Sequence, residues 1–277
     1  MSMKHKLFGA VMAAGAAFGL VQPAMSQTAT QALSQESVIE TIKQDGVIRI
    51  GLSLFVPWSM RDINGDLIGY ELDVGRKLAE DMGVEVEFVP TAWDGIIPAL
   101  LAGNFDVIIS GMSITTQRNL TVNFTDPYAF TGMSVLLNTE MTAGMELDEL
   151  NDPSIIFAAR RGATPVEVIM DVFPDAELLL FDEDGASVQE LLNGNAHATV
   201  TQISTVNRLA REFPETLSVR PDVVYSPRGQ AFALRKGDPD AMFFFNNWIA
   251  QQWRTGWLEE RQQYWFEGDD WEDQVMQ

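Results

Sequence analysis

Between Val47 and Ser110 the chain alternates apolar segments of two different periods, and this alternation restricts its fold more than any other feature of its 277 residues. VIRIGLS, from Val47, is a short apolar run that reads as a strand. LDVGRKLAEDMG puts Leu72, Val74, Leu78 and Met82 on one broad helical face, with Gly83 placed to end it. VEVEFVP alternates as a strand, WDGIIPALLAG reads as a helix capped by Asp94 and stopped at Gly103, and FDVIIS reads as a buried strand. Strand, helix, strand, helix, strand in so short a span requires right-handed crossovers, and these build a parallel sheet. Ligands of such sheets sit beyond the strand C-termini, where SGMSITTQR begins at Ser110.

The scheme then repeats. SIIFAARRGATPVEVIMDVF, AELLLFDEDGASVQELLNG and HATVTQISTVNRLAREF each read as strand, loop and helix, so a second α/β lobe is expected. The last part has one strand followed by aromatic-rich helices. Trp248, Trp253, Trp257 and Trp265 recur at near-helical spacing and are expected to face a core. Asn64-Gly65 between apolar flanks predicts a two-residue hairpin turn. Asp62, Asn64 and Asp66 begin like a calcium loop, but the remaining ligand positions are missing, so a turn is the reading.

The first 26 residues carry Lys4 and Lys6, then fifteen mostly apolar residues from Leu7 to Val21, then small residues at Ala24 and Ser26. This is the pattern of a cleaved secretory signal peptide, and the apolar run is too short and too rich in Gly and Ala for a membrane span. No later segment approaches one, so no stable membrane insertion is expected. Cysteine is absent, which excludes disulfides, thiolate metal sites and a cysteine nucleophile. The net charge of −21 becomes −23 once Lys4 and Lys6 leave with the signal. Such a surface repels nucleic acid and anionic lipid, and any pocket for an anion needs its own cations.

The stretch SGMSITTQR answers that need: backbone N–H groups and short hydroxyls beyond a strand end, a helix start at Thr115 or Thr116, and the bidentate fork of Arg118 can enclose a carboxylate. Pairing of Arg118 with Asp126 is the alternative that composition leaves open. The whole segment from Gly69 to Tyr128, with RKGDPD and the closing GWLEERQQYWF, resembles the polar-amino-acid class of periplasmic solute-binding proteins that feed ABC importers. The resemblance covers Val47 to Phe266. It implies an α/β, two-lobe periplasmic-binding-protein fold of type II, with two hinge crossovers near Tyr128–Ser134 and Ser226–Ala231. The implied division is a signal peptide over 1–26, a first lobe over 27–131 that resumes at 230–277, and a second lobe over 132–229.

The resemblance also implies site residues. Ser110, Gly111, Ser113 and Arg118 would hold a carboxylate, with the Gly111 backbone taking part. Phe55 and Trp93 would clamp the body of the solute, with Trp58 a weaker candidate, and Arg160, Ala163, Thr164 and Gln202 would face the cleft from the second lobe. For Arg160 a salt bridge between lobes is an equal rival. The acids that commonly bind an ammonium in similar proteins fall here on Leu52 or Ser53 and on Gln202, none of them charged. An ordinary α-amino acid is thereby less secure, unless an acid among Glu167, Asp182 and Asp184 reaches the cleft.

The function implied is the periplasmic substrate-binding component of an ABC importer: a monomer with no cofactor and no metal, not an enzyme. Its partners would be a small carboxylate-bearing solute and an inner-membrane permease. Two alternatives stand beside it: a periplasmic dehydratase acting on prephenate-like acids, and a ligand-sensing partner of a membrane receptor. A dehydratase needs a placed general acid, for which Gln202 cannot serve, and His197 at a strand start offers little. Expression of the whole chain in a secreting bacterial host is expected to yield a protein whose intact mass begins at Gln27; a mass that retains Met1 would remove the signal-peptide reading.

Overall fold

The structure is a computed structural model, and it describes residues 37–220 and 223–275. The proposed signal peptide lies outside the described residues. The chain opens with α1 (Val38–Asp45), β1 (Val47–Leu52), β2 (Met60–Arg61), β3 (Leu67–Ile68), α2 (Tyr70–Met82), β4 (Glu85–Pro90), α3 (Ile96–Leu101), β5 (Val107–Ile108), α4 (Thr116–Asn119) and β6 (Asn123–Phe124). It continues through β7 (Ala129–Asn138), β8 (Ile156–Arg160), α5 (Thr164–Val172), β9 (Glu177–Phe181), α6 (Asp184–Leu192), β10 (Ala198–Gln202), α7 (Ile203–Glu212) and β11 (Leu217–Val219). The last elements are β12 (Tyr225–Gln230), β13 (Ala233–Leu234), α8 (Pro239–Thr255) and α9 (Trp257–Gln262).

Two sheets result. The first has the order β4-β1-β5-β13-β6, with β1 parallel to both β4 and β5. The second has the order β11-β7-β10-β8-β9, and β12 pairs with the other end of β7. The parallel pairs are those that the sequence alternation requires, because each of their connections passes through a helix packed on the sheet.

Two strands join the sheets. β7 leaves the first sheet and β12 returns to it, and the two are antiparallel neighbours, with Gln230 opposite Ala129, Gly229 opposite Phe130 and Arg228 opposite Thr131. The register shifts between Tyr225 and Arg228, where Ser226 adopts a φ of 42°. After this crossover the chain enters β13 and then α8, returning to the first sheet.

The core of the first lobe is closed by the C-terminal helices. Trp248 and Trp265 are buried beside Tyr70, Tyr128, Phe232 and Phe245, while Trp253 and Trp257 cover its edge. Indole N–H groups find acceptors at the rim: Trp248 donates to Asp81 at 2.9 Å, Trp253 to the Pro127 carbonyl at 3.0 Å, and Trp265 to Asp73 at 2.7 Å. Each ring thus buries its apolar body without leaving a donor unmet.

Three local expectations need correction, while the turn expected from Asp62 to Asp66 is observed. The β2–β3 hairpin pairs Arg61 with Leu67, so five residues rather than two form its loop. The Asp62 carboxylate accepts from the backbone N–H groups of Asn64 and Asp66, which closes an Asx turn and occupies the oxygens that a calcium loop would present. Asp94 caps nothing: it lies inside a 3₁₀ turn, Trp93–Gly95, and α3 starts one residue later with no side-chain cap. The helix that follows Thr115 is a single turn. Its Thr115 hydroxyl accepts the Arg118 N–H at 3.1 Å, leaving little helix dipole for a ligand.

Gly69 permits the tight entry into α2. Its φ is 132°, and a Cβ there would sit 2.4 Å from the Trp58 carbonyl oxygen. Gly69→Ala is therefore expected to cost at least about 2 kcal/mol of stability, through a strained dihedral and a backbone clash that no rotamer relieves. Urea unfolding checks this; an unchanged midpoint would refute it.

Candidate functional site

The residues after β5 run through Ser110 into a loop that is pinned from two sides. From below, the Gly111 N–H donates to Glu71 Oε1 at 2.6 Å and lies 3.0 Å from the Tyr128 hydroxyl, which itself donates to Glu71 Oε1 at 2.6 Å. From the side, the Ala231 N–H donates to the Met112 carbonyl, the Ile114 N–H donates to the Gly229 carbonyl, and Ser113 bridges Gln230. The loop is thus an extra rung on the crossover strand. Ser110 Oγ accepts the Ser53 N–H at 2.8 Å, which ties the ends of β1 and β5 together and leaves the Ser110 hydroxyl proton free to donate outward.

Arg118 folds back over this loop. It donates through Nη1 to the Ser113 carbonyl at 3.0 Å and through Nη2 across the cleft to the Gly162 carbonyl at 3.2 Å, and its Cζ lies 5.3 Å from the Trp93 ring. Burial pulls its pKa down to about 10, with Glu167 opposing. The guanidinium remains charged at neutral pH. Pairing with Asp126 is not observed; carbonyls hold the side chain instead.

From the second sheet, Arg160 at the end of β8 reaches toward Ser53 Oγ and the Leu54 carbonyl, both at 3.4 Å. It forms no salt bridge between lobes among the described residues. The neighbouring Arg161 pairs with Asp182 and the more distant Arg228 pairs with Glu167. Trp93 donates its indole N–H to the Gly162 carbonyl at 3.1 Å, and Thr205 donates to the Val56 carbonyl at 3.2 Å, so the lobes meet along a polar seam.

Phe55, Trp93, Ser110, Gly111, Ser113, Arg118, Arg160, Thr164 and Gln202 all line one cavity between the sheets. Ala163 lines it as well, together with Thr131, Met133, Pro165, Asp184, Thr201, Ser226 and Gln230. Trp58 does not line it; its ring is buried against Tyr70 and Phe266 in the first core.

A scan against protein families matches residues 48–268 to the bacterial extracellular solute-binding proteins, family 3. The chain belongs to that family. Among the relatives of this solute-binding protein, the L-cystine-binding protein TcyJ of Escherichia coli is 25% identical over 241 residues, covering 86% of this chain and 90% of the relative. A cyclohexadienyl dehydratase of Pseudomonas aeruginosa is also 25% identical, over 236 residues, covering 84% and 88%. Among solved structures, the ancestral amino acid-binding protein AncCDT-1, described as a precursor of cyclohexadienyl dehydratase, aligns with a TM-score of 0.75 at 35% identity, covering 83% of this chain and 99% of that one.

One expectation about this solute-binding protein is corrected by the geometry. The Gly111 N–H points into the core, toward Glu71 and Tyr128, so it is not available to a carboxylate in the cleft, although Gly111 still forms part of the wall. Glu71 carried no signal for this role, since GYEL reads only as a helix start. Asp184, at the first turn of α6, brings to the cavity the acid that Leu52, Ser53 and Gln202 do not supply. Desolvation raises its pKa, against the pull of Arg160 and Arg208. Gln230 and Thr131 come from the crossover strands, whose approach to the site follows from tertiary pairing alone. No helix among the described residues is long and apolar enough to cross a membrane.

Glu71 is fully buried, and desolvation lifts its pKa from the ordinary 4.5 to about 8, opposed by the hydrogen bonds from Tyr128 and Gly111. The folded protein therefore holds a proton that the unfolded chain releases near 4.5. The stability this gives is complete below 4.5 and falls by up to about 1.4 kcal/mol per pH unit as pH rises toward 8. Glu71→Gln keeps an acceptor for Gly111 and Tyr128 and removes the proton. The stability difference between wild type and variant, measured by urea unfolding from pH 5 to 8, is expected to move steadily in favour of the variant. A difference independent of pH would refute a neutral Glu71.

Proposed function

We propose that the protein is the periplasmic substrate-binding component of an ABC importer, and that it takes an amino acid or related small carboxylate into the cleft between its lobes. The observation that carries this reading is the convergence of Arg118, Ser110 and Ser113 from one sheet with Arg160, Thr164 and Gln202 from the other on a single cavity. Arg118 is fixed by two carbonyls and an aromatic face, so its fork is pre-organised for a carboxylate. Phe55 and Trp93 supply the apolar walls. Family membership and the amino-acid binding named for TcyJ and AncCDT-1 support the same reading.

In this proposal the signal peptide covers 1–26, the first lobe covers 27–131 and 230–277, and the second covers 132–229. The mature protein is a periplasmic monomer that delivers its solute to an inner-membrane permease. Contacts that need both lobes favour the closed arrangement, so solute would shift the lobes toward it.

The dehydratase alternative rests on Asp184, a carboxyl in the cavity with a raised pKa, and on the dehydratase relative. Binding is preferred because Arg118 and Arg160 converge on the same cavity as Asp184, an arrangement suited to holding a carboxylate. Incubation of the purified protein with a prephenate-like acid separates the two, since product formation above the uncatalysed rate would displace the binding proposal.

A thermal-shift screen with amino acids, keto acids and dicarboxylates is expected to raise the melting temperature for at least one carboxylate. Arg118→Ala removes a charge-assisted pair of about 1.5–3 kcal/mol and is expected to weaken that solute roughly tenfold to a hundredfold. Unchanged affinity in the variant would end the carboxylate assignment.

A further inference from the structure

One arginine suffices for one carboxylate, yet the cavity holds two. Arg160 is 7% exposed, and its Cζ lies 4.6 Å from the Trp93 ring and 5.6 Å from the Phe55 ring. Its Nε is buried without a hydrogen-bond partner. Arg118 lies over the same Trp93, and its guanidinium feels Arg160 as a repelling charge. A buried donor without an acceptor and a pair of like charges on one indole are both costly, and an anion between them relieves both.

The position of Arg160 also decides what the aromatic walls can accept. Their faces would otherwise attract the cationic end of a solute. Here a fixed guanidinium already lies against both, so an incoming cation meets a like charge in a desolvated space. The third charged side chain of the cavity is Asp184. Among the other lining residues, the amides of Gln202 and Gln230 each keep one buried oxygen without a partner, which makes these three groups acceptors for an N–H donor.

We infer that the cleft selects an acidic amino acid, with one carboxylate on Arg118 and Ser113, the second on Arg160 between Phe55 and Trp93, and the ammonium toward Asp184 and the two glutamine oxygens. The three ionisable side chains of the cavity, two arginines and one aspartate, are matched group for group by a solute with two carboxylates and one ammonium. This inference rests on the carboxylate-binding function proposed above and adds the role of Arg160. A single carboxylate bridging both arginines, with a neutral remainder, is the competing geometry, and the amide analogue tells them apart.

Titration calorimetry on the purified protein with L-glutamate, L-aspartate, L-glutamine, L-arginine and succinate tests the assignment. An acidic amino acid is expected to bind at least about tenfold more tightly than glutamine, arginine or succinate. Arg160→Gln is expected to erase the preference for glutamate over glutamine and to improve arginine binding. Arg160→Lys, which keeps the charge, is expected to retain part of that preference. Circular dichroism and a melting temperature verify that each variant is folded. If glutamine, arginine or succinate binds the wild type as tightly as glutamate, or if folded Arg160→Gln keeps the preference unchanged, the inference falls while the carboxylate-binding function stands. If none of the five binds and the wider carboxylate screen is silent as well, both fall.

Discussion

The backbone pairing of the loop 112–114 with the crossover strand 229–231 is the constraint on which the site depends. Through the N–H groups of Ile114 and Ala231 and the bridge between Ser113 and Gln230, the loop that carries Ser113 and leads to Arg118 is built onto the same strand that connects the lobes. The loop is therefore not a free surface segment. Beneath it Glu71, held by Tyr128, accepts the Gly111 N–H, so the first turn after β5 is fixed from the core outward. Burial raises the pKa of this carboxyl to about 8, with the hydrogen bonds from Tyr128 and Gly111 acting the other way.

Charge is distributed against the overall balance. The chain is strongly acidic, with 39 acidic and 18 basic residues. Yet two of the three charged residues in the cavity are arginines. At physiological salt the field of a surface charge fades within about 8 Å, so the acidic exterior and the basic cleft act at different ranges. The exterior sets solubility. The cleft has its own local sign.

Much of this was legible in the sequence, and the reason is periodicity. Strands and helices such as β1, α2, β4 and β5 announce themselves because each buries one face or all of itself, and burial leaves a pattern in the residues. The string from Ser110 to Arg118 stood out for a related reason, its small residues, hydroxyls and one cation beyond a strand end, and Ser110, Gly111, Ser113 and Arg118 do line the cavity. What was not legible depends on contacts between distant segments. The inward turn of the Gly111 N–H needs Glu71, forty residues earlier. The place of Asp184 depends on how α6 sits over β8, and the register of β7 with β12 decides that Gln230 and Thr131 reach the cavity. Asp94 failed as a cap because the chain first makes a tight 3₁₀ turn, a choice that residue preference alone does not distinguish.

The crossovers β7 and β12 are bonded to each other rather than running as two separate tethers. A paired ribbon resists sliding of one strand past the other, because that would break its rungs, but it yields readily to flexing across its flat face. The two halves of this molecule thus share something close to a door's single axis, and sideways shear between them is suppressed. Side chains on opposite walls would then meet in the same register at every swing.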